Sequence, residues 1–140
     1  MFRLLACMLV AGLVLALAVP SQALAQKKKL DVTQKWSGSV DDEKAPKPDV
    51  ITSAKGLETV WKAWKVPGDV PKVDFSKNIV VAVYSVGSKL NLAAVNLDGE
   101  GNLEALGFGT RDLRPGFRYV LGVVSRDGVK TVNKKALPDQ

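Results

Sequence analysis

The stretch Thr110–Tyr119, TRDLRPGFRY, sets Arg111, Arg114 and Arg118 around one acid, Asp112, and a Pro115-Gly116 pair. Guanidinium forks grip carboxylates and phosphates two-handed. Three of them beside a single carboxylate leave an excess that suits an anionic ligand or a protein contact. Arginine is otherwise sparse: beyond residue 25 every other basic side chain is lysine except Arg126. The same residues also build a turn. Over Arg114–Phe117, proline presets the backbone at the second position of a type II turn and glycine takes the positive φ of the third. Asp112 can accept from backbone donors or pair with Arg111 or Arg114. The stretch therefore predicts a hairpin connection. Asp112, Pro115 and Gly116 shape it, and Arg111, Arg114 and Arg118 are the candidate binding residues.

Three other groups carry chemistry-bearing side chains. In SVGSK, Ser85–Lys89, serines stand near a lysine, but a Ser-Lys nucleophile needs a buried lysine that has lost its proton. Gly87 after a strand reads more simply as a turn. In DGEGNLE, Asp98–Glu104, carboxylates at positions one, three and seven suit calcium, yet the calcium-loop pattern wants glycine at the sixth position, where Leu103 stands. In DDE, Asp41–Glu43, clustered like charges beside Pro46 and Pro48 read as a hydrated loop.

The sequence holds no histidine. Ser-His-Asp and Cys-His nucleophile systems lose their base, and Cys/His zinc sites lose their ligands. No glycine-rich phosphate loop occurs. No catalytic residue, metal or cofactor is expected. A small hydrolase-like enzyme working through carboxylates is the alternative.

The elements that must position these residues follow a signal. Arg3 opens a short positive start, Leu4–Val19 is apolar, Pro20 breaks the run, and Ala23 and Ala25 give the small-x-small pattern of a cleaved secretory signal. Residues 1–25 are read as that signal. Cleavage after Ala25 leaves 115 of the 140 residues, one domain by length. It removes Arg3 and takes the formal net charge from +6 to +5. Cys7, the single cysteine, leaves too. An exported chain without disulfides fits the bacterial envelope better than an animal extracellular setting. Its mildly basic surface suits anionic partners such as lipid head groups or acidic polymers.

Residues 26–31 are expected to be a mobile lysine-rich leader, 32–133 a single globular domain, and 134–140 a loose tail. Val32–Val40 reads as a strand and Asp41–Val50 as a loop. SAKGLETVWKAWKV reads as a helix with Ser53 as N-cap, an apolar stripe of Leu57, Val60, Trp61 and Trp64, and Pro67-Gly68 as its stop. Asn78–Val86 is apolar on both phases, hence a central strand. Leu90–Leu97, Asn102–Thr110 and Phe117–Arg126 follow, and the Asp127-Gly128 turn returns Val129–Asn133 as a further strand. The sum is an α+β fold: a mainly antiparallel sheet of about five or six short strands, with one helix packed on one face. A strongly curled sheet approaching a barrel is the other option.

Leu57, Trp61, Val73-Asp74-Phe75-Ser76-Lys77, Val80 and Val81 resemble the C-terminal domain of the PrcB-type protease-complex accessory proteins. That family places a Leu-x-x-x-Trp helix before a Val-Asp-Phe-Ser-Lys step into an apolar strand. The likeness covers about residues 51–87, with 90–126 following in compatible order. The family often has a Gly-Gly-Tyr step after that strand, where this chain has GSKLNL. The resemblance implies an exported, non-catalytic module that associates with other envelope proteins, and it carries over no catalytic residue. The expected partner is an envelope protein or an anionic ligand rather than nucleic acid. No transmembrane segment is expected after signal cleavage.

Overall fold

A computed structural model describes residues 26–138. The signal reading of residues 1–25 lies outside them. The described residues are α+β, with one helix and two sheets. β1 (Lys28–Lys29), β5 (Leu90–Leu97), β6 (Asn102–Gly109), β8 (Thr131–Val132) and β9 (Lys135–Ala136) form one sheet in the order β1-β5-β6-β8-β9. β2 (Gln34–Val40), β3 (Val50–Ile51), β4 (Asn78–Ser85) and β7 (Phe117–Ser125) form the other in the order β2-β7-β4-β3. Every strand pair is antiparallel except β6 with β8. The helix α1 spans Ala54–Ala63.

The alternation in β7 explains the layering. Phe117, Tyr119, Leu121 and Val123 face α1, in one core with Leu57, Val60, Trp61 and Trp64. Val120 and Val124 point the other way and meet Leu92, Val95 and Leu103 of the second sheet. β4 divides the same way, Val80 and Ala82 toward the helix, Ile79, Val81 and Val83 toward the other sheet. A strand covered on both faces must be apolar on both phases, so β4 and β7 hold the centre of their sheet.

Ser53 caps α1 as its sequence position suggests, its Oγ accepting from the Gly56 N–H at 3.1 Å. The helix stops before Pro67-Gly68. Trp64 is its C-cap and Lys65 takes the left-handed conformation at φ 52°, which ends the i→i+4 ladder as a C′ residue does. Both buried indoles find acceptors: Trp61 Nε1 donates to Gly68 O at 3.1 Å and Trp64 Nε1 to Pro46 O at 2.8 Å.

Four expectations change. The single sheet is two sheets packed face to face. The lysine-rich leader is paired into a sheet: Lys28 and Lys29 pair with Leu97 and Asn96, and Leu30 donates its N–H to Val95 O at 2.8 Å. Edge-strand lysines keep their charges in water while the backbone bonds, and Leu30 and Val32 pack on the inter-sheet core. Val129–Asn133 does not return onto β7, whose two edges are taken by β2 and β4. It crosses instead to lie parallel to β6, burying Val132. The tail is not wholly loose either, since Lys135–Ala136 pairs back onto Thr131–Val132.

Candidate functional site

The Thr110–Gly116 connection is not a hairpin. It carries the chain from β6 in one sheet to β7 in the other, because β7 belongs between β2 and β4. At the same end of the sandwich the β4–β5 turn, residues 86–89, makes the reverse crossing. The two connections lie against each other, held by backbone bonds from Thr110 N to Lys89 O (3.0 Å) and from Arg114 N to Val86 O (2.9 Å).

Asp112 locks this pair. Its Oδ1 accepts from the Ser88 N–H at 3.0 Å and the Ser88 hydroxyl at 3.1 Å, and its Oδ2 accepts from Arg114 Nε at 3.1 Å. Thr110 Oγ1 accepts from the Lys89 N–H at 3.1 Å and lies 3.2 Å from Ser88 Oγ. The Thr110 hydroxyl, the Ser88 N–H and hydroxyl, and lastly Arg114 hold the Asp112 carboxyl well below the usual carboxylate range. The glycines allow the contact. A Cβ at Gly87 would stand 2.1 Å from Thr110 O, and one at Gly116 would stand 1.9 Å from Val40 O. Gly116 also has φ 71°, the positive value that the Pro-Gly step demands.

The three arginines separate. Arg114 is spent partly on Asp112, with its side chain still 60% exposed. Arg118 turns inward: its Nη2 donates to Pro115 O at 2.6 Å, and its Nε is buried without a partner. Arg111 is exposed and makes no side-chain hydrogen bond or ion pair among the described residues. Arg118 lines an open groove of about 660 Å³ between β2 at Ser37–Ser39 and the facing ends of β5 and β6. Of the three arginines Arg118 alone lines this groove, while Arg111 and Arg114 stay on the Thr110–Gly116 connection.

The remaining candidates are occupied by local structure. Ser88 is engaged by Asp112 and Thr110, and Lys89 is exposed, so SVGSK is turn chemistry. Asp98 Oδ1 accepts from the N–H groups of Glu100 and Asn102, both at 2.9 Å, as the acceptor of its own turn. Glu104 pairs with Lys27 Nζ at 3.0 Å. Asp98 and Glu104 both line a groove of about 450 Å³, each already bonded in this way. Asp42 Oδ1 accepts from the Lys44 N–H at 2.9 Å. Among the described residues no cluster of three or more His, Cys, Asp or Glu side chains is placed to hold a metal.

Sequence reasoning missed two features of this end. Ser88 partners Asp112 from 24 residues away, a pairing that no local pattern announces. Leu113, between Asp112 and Arg114, stands 83% exposed. An apolar residue inside a polar turn was the available sign. No protein-family model matches this chain, and no curated protein and no solved structure matches it.

Proposed function

We propose that the chain is an exported, non-catalytic binding module of the bacterial envelope, contacting another protein or an anionic ligand through the Arg111–Arg114–Arg118 end. One observation carries this reading. The only carboxylate of the stretch, Asp112, is committed to Ser88 and Arg114, so the guanidinium of Arg111 and the outer face of Arg114 keep their donors for an external acceptor. The loop that carries them is bonded to the β4–β5 turn, so its backbone is positioned before a partner arrives, which lowers the ordering cost of association. The export reading and the PrcB-type resemblance point the same way.

The test is affinity capture from envelope extract with residues 26–140 as bait, comparing wild type with the Arg111→Ala/Arg114→Ala/Arg118→Ala triple variant. The variant is expected to keep its circular dichroism spectrum and lose partner recovery. Wild-type recovery is expected to fall as salt rises, because exposed charge contacts are screened. A folded triple variant that recovers the same partners at the same salt overturns the reading.

A further inference from the structure

Large apolar side chains stand exposed at four described positions: Val86 (55%), Leu106 (39%), Phe108 (72%) and Leu113 (83%). Three of them, Val86, Phe108 and Leu113, belong to one end of the molecule, and Leu106 lies mid-strand opposite Ala94. Val86 opens the β4–β5 turn, Leu106 and Phe108 lie on the last half of β6, and Leu113 caps the β6–β7 connection. Singly exposed hydrophobics are ordinary, but three of them at one end mark a contact surface.

Leu113 is not exposed for want of order. Asp112 before it is bonded to Ser88, and the N–H of Arg114 after it is bonded to Val86 O. Both neighbours are fixed, so the loop holds the isobutyl group out in water. The two bonded connections carry Lys89, Arg111 and Arg114, with Asp112 as their one acid and its carboxylate already taken, while the exposed acids Asp41, Asp42 and Glu43 leave β2 at the same end, beside Gly116.

We infer that this end docks on an anionic lipid surface, with Leu113, Val86 and Phe108 entering the head-group boundary and Lys89, Arg111 and Arg114 meeting lipid phosphates. The inference rests on the reading of the arginine end as a contact and names its partner. Charge complementarity selects the occupant. Basic side chains beside protruding apolar ones match the depth profile of an anionic monolayer, where phosphates overlie acyl chains. Arginine and lysine stems can lie along the apolar region while their heads stay at phosphate level. No helix among the described residues is long and apolar enough to cross a membrane, and attachment here needs only the loop tips.

The experiment is cosedimentation of residues 26–140, the span that holds every described strand and the helix, with vesicles of phosphatidylcholine alone or mixed equally with phosphatidylglycerol. Binding is expected only to the anionic vesicles and is expected to fall with salt. Leu113→Asp should weaken it by at least about tenfold, the effect of withdrawing one leucine from an apolar phase, and Arg111→Ala/Arg114→Ala should weaken it as well. Lys55→Ala, on the helix, should bind as wild type. Leu113→Trp should be quenched by brominated acyl chains. Absence of vesicle binding at low salt overturns the lipid inference. So does binding indifferent to Leu113→Asp, or a Leu113→Trp that bromine does not quench. If vesicles fail while arginine-dependent protein capture succeeds, the binding-module reading stands and its partner is a protein. If both fail, both are overturned.

Discussion

Gly116 shows how much one residue can be asked to do. Its φ of 71° disfavours any side chain, and Val40 O stands 1.9 Å from where a Cβ would be. Either constraint alone costs on the order of 1–3 kcal/mol. Gly116→Val carries both, so it is expected to lose about 3 kcal/mol or more, read as a fall in the urea midpoint. Wild-type stability in that variant would remove the constraint inferred here. Asp112 illustrates the opposite case, a residue whose type was legible and whose partner was not. A turn aspartate is expected to cap nearby amides. This one reaches across to Ser88 in another connection, because two chain crossings between the same sheets end side by side.

The helix is the element that the sequence describes best. Spacing of Leu57, Val60, Trp61 and Trp64 predicts a buried stripe, and all four are at most 6% exposed. The tryptophans do separate work. Trp61 meets Trp36 edge-on at 5.9 Å, and Trp64 packs against Tyr84, Phe117 and Tyr119 at centroid distances of 5.8, 5.7 and 4.6 Å. Trp64→Ala is expected to cost about 3–5 kcal/mol as a core truncation. Trp64→Phe keeps most of the apolar volume but leaves Pro46 O without its indole donor, an additional loss of about 1 kcal/mol. Chemical denaturation of the two variants should order them wild type, Phe, Ala. An alanine variant that melts with the wild type would return the ring to the surface. β1 went unrecognised because its lysines carry no strand signal in their side chains. Pairing with β5 is a backbone event that the hydrophobic pattern does not report.

At the scale of the whole molecule, the helix side holds a phenol that couples stability to pH. Tyr84 donates its hydroxyl proton to Pro48 O, and burial, then the charge of Asp49, pushes its pKa up. Burial raises Tyr119 as well. The unfolded chain ionises tyrosine near about pH 10, while the folded chain keeps these protons. The unfolded state therefore binds fewer protons above that pH, and stability falls. The contribution is whole below about pH 10 and is lost as pH rises toward the folded values. Urea midpoints measured across the alkaline range should decline, and Tyr84→Phe should flatten the decline. A midpoint that stays level through that range would contradict this linkage.

Local chemistry determined most of the elements. Five strands and the helix could be placed from periodicity, a cap and turn residues, since each depends on neighbours within a few positions. The α+β class followed from their order. Arg111, Arg114 and Arg118 could be named as a group, and Asp112, Pro115 and Gly116 as the residues that shape their loop. Only the tertiary structure decided that the strands split into two sheets, and from that one division the rest follows. The connection over residues 110–116 became a crossing, Val132 moved beside β6, and Arg118 turned into a groove while Arg111 stayed in water. The reason is physical. Alternation tells a strand which of its faces is apolar, but β4 and β7 are apolar on both. Which partner covers each face is settled by long-range packing among all the strands at once.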